Sequence, residues 1–314
     1  MKQPNIAIII LHYKNLADTR ECLKSLQKVD YRHFSVLVVN NDVLEHKTAL
    51  ESEFQGFIEV IQNKENLGFA EGNNVGIRHA LKNTDTDAVL LLNNDTTVEP
   101  NFLDEIVKID ADMVAPRMLD YNDHDKIDNL GIVMMTSGLP FNRTNENQKL
   151  FCPSAGCALY TRKLIESVGI FDKSYFAYAE DLDLGWRALN QGFVSGYSSK
   201  AIAYHKGSAS TSKLSDFAVY HTYRNLLWTQ FKNMPTKLLL WQSPWLLLGR
   251  VFIFFHYILK GRIKIIFKAY VDGEMGVLVV TRVRKQILKE KTVSNKKILS
   301  YFQTGLFPKN LIKK

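Results

Sequence analysis

Cysteine is scarce in this chain. Cys22, Cys152 and Cys157 are the three cysteines among 314 residues; they cannot all pair with one another, and their spacing is irregular. That excludes a disulfide-stapled secreted scaffold and predicts a reducing, cytosolic setting. The first five residues lack the charged stretch and cleavage site of a leader peptide, and the apolar residues 6–11 that follow have the length of a buried strand. There is no internal repeat, no low-complexity tract and no Gly-x-x-x-x-Gly-Lys-Ser/Thr loop, which argues against phosphate cradling of the ATPase type. With 46% hydrophobic and 23% charged residues, the composition is that of a globular protein and excludes a mostly disordered one. The length fits one large domain or two smaller ones.

Acidic residues are nearly missing from the end of the chain. The net charge is +8; from Lys260 onward fourteen Lys and Arg face only Asp272, Glu274 and Glu290, a net +11, which leaves −3 for the first 259 residues. Nucleic-acid binders spread basic surface over the recognition domain. Here a mildly acidic body carries a basic tail behind an apolar stretch, which argues for an anionic membrane surface and against nucleic acid as partner.

The first half alternates strand and helix signals. Residues 6–11, 34–39, 58–61 and 88–92 are apolar runs; Asp18 is placed to cap a helix bearing Cys22, Leu23 and Leu26, and residues 70–81 carry Val75, Ile77 and Leu81 at helical spacing. This predicts an α/β fold with a Rossmann-like, mostly parallel sheet and helices on both faces, whose ligands bind beyond the carboxyl ends of the strands. Two runs end there in the same tripeptide, Asn40-Asn41-Asp42 and Asn93-Asn94-Asp95. Such residues also make ordinary turns and caps. Residues 113–149 read as a loop-rich excursion. Structure resumes at 155–160, with a short helix at 162–168 and strands at 194–197 and 201–204, the latter running into His205. Between them lies the densest chemistry, Phe171-Asp172 to Glu180-Asp181-Leu182-Asp183.

Past Ser215 the character changes. Residues 217–231 read as a helix, and 238–259 are strongly apolar apart from Gln242, Ser243, Pro244, Arg250 and His256. The length suffices for a span, but Arg250 near the centre is costly there. Helices lying in the interface plane fit better, ahead of a buried hairpin. The expected division is a catalytic domain over 1–215 and a helical membrane-associating region over 216–314.

The ordered stretches resemble family 2 glycosyltransferases, especially bacterial rhamnosyltransferase-like enzymes of cell-surface polysaccharide assembly. The resemblance covers about residues 5–230 and rests on residues 8–15 with Cys22-Leu23-Lys24-Ser25-Leu26, on 66–76 (Asn66-Leu67-Gly68-Phe69-Ala70-Glu71-Gly72 onward), on Leu91-Leu92-Asn93-Asn94-Asp95, on the Phe171 to Leu184 segment, and on Tyr204-His205 and Tyr223-Arg224-Asn225. It implies a GT-A fold and an inverting transfer from a nucleoside-diphosphate sugar to an acceptor hydroxyl; the apolar, basic C-terminal third adds the expectation that the acceptor is a lipid-linked saccharide on the cytoplasmic face of the cell membrane. It also implies a divalent cation, Mn²⁺ or Mg²⁺, to neutralise the departing diphosphate.

The same resemblance assigns residues. Asp95 is the expected metal ligand, with His205 second; Asn93 stands where the family usually has an acid, so metal binding is expected to lean on those two. Asp181 is the expected general base, with Glu180 the alternative. Asp183, Arg224 and Asn225 are expected on the acceptor or diphosphate side, Asp183 there orienting a neighbour or capping its helix, with a solvated helix face the alternative for Arg224 and Asn225. Tyr13, Asn40, Asn66, Asn93 and Asn94 are expected around the nucleotide, Asn40 standing where the family commonly has a base-contacting aspartate. Two rivals remain at this stage: a sugar nucleotidyltransferase, which would release pyrophosphate, and an inactive carbohydrate-binding scaffold, which Asn40 and Asn93 keep open.

Overall fold

The computed structural model describes residues 3–42, 46–207 and 215–307, without the side chains of 278 and 279. In chain order the elements begin β1 (Ile6–His12), α1 (Leu16–Leu26), β2 (Phe34–Asn40), α2 (Lys47–Glu53), β3 (Ile58–Gln62), α3 (Gly68–Ala80), β4 (Ala88–Asn93), β5 (Thr96–Val98) and α4 (Phe102–Ile106). Then come β6 (Met113–Asp120), β7 (Ile127–Asn129), β8 (Ile132–Met135), β9 (Pro140–Asn142), β10 (Cys157–Thr161), α5 (Arg162–Val168), α6 (Glu180–Asn190) and β11 (Ser195–His205). The chain continues through α7 (Asp216–Asn233), α8 (Thr236–Leu259), α9 (Ile263–Lys289), α10 (Asn295–Ser300) and β12 (Phe302–Gln303).

Among the described residues nine strands form the main sheet in the order β3-β2-β1-β4-β10-β6-β11-β5, with β7 on β6. The β3-β2-β1-β4 half is parallel; β10 runs antiparallel to both neighbours and β5 antiparallel to β11, so the sheet is mixed. The solid apolar runs follow from burial on both faces. Ile6, Ile8 and Ile10 join a core with Cys22 and Leu23 of α1, while Ala7 and Ile9 join the opposite core with Ala70 and Ile77 of α3. Each such side chain contributes roughly 1.5–3 kcal/mol. The approach of α3 to β1 is close: a Cβ on Gly76 would stand 2.5 Å from Ile9 Cγ2.

Three expectations are corrected. Residues 113–149 are not a loop excursion: they supply β6, in the heart of the sheet, and β8–β9, which with β12 make a second, three-stranded sheet. Pro116 and Arg117 break the apolar alternation of β6, and the sheet accommodates them beside an irregularity in β11 between Ser198 and Ile202. The strands expected at 194–197 and 201–204 are one strand, β11, bent at that irregularity. Finally, α1 is capped by Asn15, whose side chain accepts from the Asp18 N–H; Asp18 lies inside the first turn.

Beyond β11, α7 packs on α6 and α9, and α8 packs along α9. The chain then returns through α10 to β12, which pairs parallel to β8.

Candidate active site

The strand registers put His12, Asn40 and Asn93 along one edge of the parallel half: His12 lies opposite Asn40, and Leu11 opposite Asn93. The first Asn-Asn-Asp turn closes on itself. Asn40 is fully buried; its amide donates to Gln62 Oε1 at 2.7 Å and its oxygen accepts the Asp42 N–H at 3.0 Å. Asn41, also buried, donates to Asn66 Oδ1 (2.9 Å) and the Gly68 carbonyl (3.1 Å) and accepts from Asn63 Nδ2 (3.1 Å) and the Leu67 N–H (3.0 Å). Asn40 was expected to meet the nucleobase, and that is corrected: its hydrogen-bonding groups are committed to the turn. Asn66 is exposed, and its oxygen also caps the Gly68 N–H at 2.9 Å, shaping the start of α3. Tyr13 is half-buried beneath Lys14 Nζ, 5.0 Å from its ring centre. Behind this turn His12 bonds Thr19 Oγ1 (2.7 Å) and His46 (2.9 Å); burial first, then His46, push it down to about 4 against the opposing pull of Asp42.

The second turn opens outward. Asn94 Nδ2 donates to Thr19 Oγ1 at 3.0 Å. Asp95 places Oδ1 3.3 Å from His205 Nε2 at the end of β11, and that buried oxygen makes no hydrogen bond of good geometry. On its other side His205 Nδ1 lies 2.9 Å from Asp128 Oδ2. Burial disfavours the imidazolium, but Asp128 and Asp95 outweigh it and hold His205 up at about 9. Lys206 follows, pairing with Asp18 at 2.7 Å and Glu21 at 2.5 Å, and lying over the Tyr121 ring. Sequence reading missed Asp128, which lies in the segment taken as loop, and Lys206, whose place directly after His205 was the available signal.

Among the described residues no group of three His, Cys, Asp or Glu side chains could hold a metal ion. Asp95 and His205 instead offer two donors on one edge, one of them a buried oxygen without a hydrogen bond. A carboxylate oxygen and an imidazole nitrogen are donors that a divalent cation accepts, and a cation there must displace the His205 proton.

The acids of α6 are presented by an unusual approach. Phe176, Tyr178 and Ala179 have φ of 62°, 68° and 65°, left-handed conformations that each cost about 1–3 kcal/mol in a non-glycine residue. The chain holds them from two sides. Gly68, itself at φ 77°, lies so close that a Cβ there would come within 2.6 Å of the Phe176 carbonyl, and the Ala70 N–H donates to that carbonyl at 3.0 Å. From α7, Asn225 Nδ2 reaches the carbonyls of Tyr175 (2.9 Å), Ala177 (2.8 Å) and Tyr178 (2.7 Å), and Arg224 Nη2 those of Ser174 (3.2 Å) and Tyr175 (3.1 Å). Asn225 is fully buried. The expectation that Arg224 and Asn225 face acceptor or diphosphate is corrected: both clamp the loop that leads into Glu180.

Asp183 is corrected too. Its side chain is fully buried, bound by Arg187 Nε (2.9 Å), Lys232 Nζ (2.9 Å), Asn233 Nδ2 (2.7 Å) and the Tyr175 hydroxyl (3.2 Å), so it touches no acceptor. Burial raises its carboxyl, but Lys232 and Arg187 prevail and bring it down to about 2. Asp181 is half-buried and accepts from the Ala155 N–H at 3.0 Å and the Leu182 N–H at 2.7 Å; burial lifts it above the ordinary carboxylate range against those bonds. Glu180 is buried beside it, pushed well up by burial and then by the Asp181 charge, and its Oε2 has no hydrogen-bond partner.

The two halves meet at residues 154–156. The Asn93 N–H donates to the Gly156 carbonyl at 2.8 Å, and the neighbouring Ala155 N–H donates to Asp181 Oδ2. Asn93 and Asp181 therefore border the same short turn, and Asp95 follows two residues after Asn93.

Comparison with known proteins bears on the family and the fold. A family model described as glycosyl transferase family 2 matches residues 7–169. The chain is 24% identical over 237 residues to the low-salt glycan biosynthesis hexosyltransferase Agl10 of Haloferax volcanii, covering 70% of this chain and 74% of that protein. It is 25% identical over 231 residues to the O-antigen biosynthesis protein RfbC of Myxococcus xanthus, covering 66% of this chain but only 18% of that longer protein. Among solved structures, the mannosyltransferase PcManGT of Pyrobaculum calidifontis, in complex with GDP-Man and Mn²⁺, superposes with a TM-score of 0.55 at 13% identity over 96% of this chain and 86% of that one. TarS 1–349 of S. aureus, in complex with UDP-GlcNAc, gives 0.52 at 18% identity over 72% and 66%. At these identities the structures establish a shared fold.

Proposed function

The chain belongs to glycosyl transferase family 2, and we propose that it carries out an inverting transfer of one hexose (rhamnose among the candidates) from a nucleoside diphosphate to a hydroxyl of a lipid-linked saccharide. The observation that carries this reading is the turn at residues 154–156, which binds Asp181 through the Ala155 N–H and, through the Asn93 N–H, the strand end that leads into Asp95. In the step, the acceptor hydroxyl gives its proton to the Asp181 carboxylate, its oxygen bonds to the anomeric carbon from the face opposite the leaving group, and the bond to the diphosphate breaks. Burial makes Asp181 a stronger base than a solvated carboxylate, while two backbone N–H groups aim it. Burial and the Asp181 charge push the neighbouring Glu180 carboxyl well up, and we assign the role of base to Asp181.

On the donor side Tyr13, Asn66, Asn93 and Asn94 are the proposed contacts, Asn93 through its amide without adding charge. Asp95 and His205 are the proposed ligands of a divalent cation, which when bound supplies Lewis-acid neutralisation of the departing diphosphate. Hexosyltransferase and O-antigen assembly roles borne by the relatives support assembly of a cell-surface or secreted glycan. We assign residues 1–215 to catalysis and 216–314 to association with the cytoplasmic face of a membrane, where a lipid-linked acceptor resides. The exposed apolar surface of α8 supports that assignment.

The test is a panel of nucleotide sugars with Mn²⁺ or Mg²⁺, read by nucleoside-diphosphate release and by the anomeric configuration of the product. Release with inversion, lost in Asp181→Asn, is expected. Retention of configuration, or full activity in Asp181→Asn, overturns the mechanism. Pyrophosphate release from a nucleoside triphosphate would instead identify nucleotidyl transfer.

A further inference from the structure

We propose that α8 and the first half of α9 form one in-plane anchor that lies flat on an anionic lipid leaflet and does not cross it. The inference deepens the membrane side of the proposed function and rests on that reading.

From Leu240 to Leu259 the outer face of α8 is largely apolar, with Ser243 and His256 the exposed polar residues along it. Leu240, Trp241, Leu247, Leu248, Phe252 and Phe255 are all exposed, and Leu259 at the far end is 88% exposed. A single exposed leucine is ordinary, whereas a continuous apolar face marks an interaction surface. Antiparallel to it, α9 adds Ile263, Phe267, Val271 and Met275, exposed at every fourth position and thus on one stripe. The pairing of the two helices is set by the Tyr270 hydroxyl donating to the Arg250 carbonyl at 3.1 Å and by stacking of Phe254 on Tyr270.

The inner face decides between lying and spanning. By length and hydropathy α8 could cross a bilayer. Yet Leu238, Gln242, Leu246 and Gly249 are buried against the globular part, and Gln242 Nε2 donates to the Thr136 carbonyl at 3.2 Å. A Cβ on Gly249 would stand 2.9 Å from Leu139 Cδ1. A crossing helix would have to shed this packing or carry polar backbone into hydrocarbon. With the inner face kept, immersion reaches only the outer half of the helix, the depth expected of interfacial helices.

Charge selects the occupant. Arg250, the residue that argues against insertion, faces Glu274 at 3.1 Å. Asp272 is matched by Lys268 at 2.6 Å and by the Tyr220 hydroxyl. That leaves exposed Lys237, Lys260 and Lys264 around the apolar stripe, with Arg282, Lys285 and Lys289 further along α9. Each basic residue near an anionic surface adds to the attraction. A second copy of the chain would bring the same positive rim and repel it.

The experiment adds the full-length folded protein to preformed vesicles of phosphatidylcholine, alone or with 30 mol% phosphatidylglycerol, and measures co-flotation. At least tenfold tighter partition onto the anionic vesicles, reversed by high salt, is expected. Phe252→Glu with Leu248→Glu should abolish it while leaving the melting temperature in place. Topology is read with a membrane-impermeant maleimide on Lys237→Cys and Lys260→Cys, one at each end of α8; the native Cys22, Cys152 and Cys157 are buried. Labelling of both sites from outside supports the in-plane anchor. Protection of either site, equal binding to neutral vesicles, or dimerisation through this face without vesicle binding overturns it. None of these readouts requires sugar transfer, so such a failure leaves the enzymatic reading intact, and loss of transferase activity alone leaves the anchor intact.

Discussion

The tripeptide Asn-Asn-Asp occurs twice at the same sheet edge and does opposite work. Residues 40–42 are buried and bond to Gln62, Asn63, Asn66 and the turn into α3, so their polarity holds the architecture together. Residues 93–95 are half-buried, and their carboxylate faces a histidine. The neighbours make the difference. β2 is flanked by β3, whose end supplies partners for every amide, whereas β4 is flanked by β10, whose approach at residues 154–156 belongs to the Asp181 side. The same residues at the same edge become buried scaffold or a half-open turn, the one proposed for chemistry, according to what the adjacent strand brings.

That contrast can be broken or sharpened by substitution. The largest effect is expected beside the open turn: Asp181→Asn should lower kcat by about 10²–10⁴-fold, with the melting temperature held or raised because a buried charge is removed. Should the protein instead unfold, Asp181 belongs with the scaffold. Next, Asp95→Asn should cost on the order of 100-fold in kcat/KM and weaken activation in a Mn²⁺ titration, again with thermal stability retained. The closed turn should respond the other way. Asn41→Ala removes several buried hydrogen bonds and should cost about 2–4 kcal/mol in denaturant unfolding, while the folded fraction keeps its kcat. A kcat loss without a stability loss would erase the distinction between the two turns.

The smallest effect is a pH dependence on the closed side. His12 sits at about 4 when folded against an ordinary 6.5, so the unfolded chain takes up a proton in that window and the folded chain does not. Its stabilising contribution is complete above pH 6.5 and lost as pH falls from 6.5 to 4. Denaturation midpoints across this range should therefore decline on acidification, and His12→Gln should flatten the profile.

The parallel strands were legible because β1, β2 and β4 are buried on both faces and so appear as unbroken apolar runs. β6 was not, since Pro116 and Arg117 interrupt it and only its pairing to β11 makes them tolerable. At the site, the order of the motifs pointed to Asp95, Asp181 and His205. Asn40, Asp183 and Asn225 were given contacts they do not make, because their type and position say nothing about the partners that absorb them: Gln62 for the first, Lys232 and Arg187 for the second, three loop carbonyls for the third. Burial of a polar side chain is a property of the assembled neighbours, which no local window contains.

The return of β12 to pair with β8 makes the whole helical excursion a strap buckled at both ends, since α8 leaves from α7 beside the main sheet and the chain comes back to the small sheet. A strap fixed at two points cannot swivel. On the proposed leaflet such a strap would carry the body at one tilt and one height, and the proposed search for acceptors would become a two-dimensional glide with the cleft at one altitude.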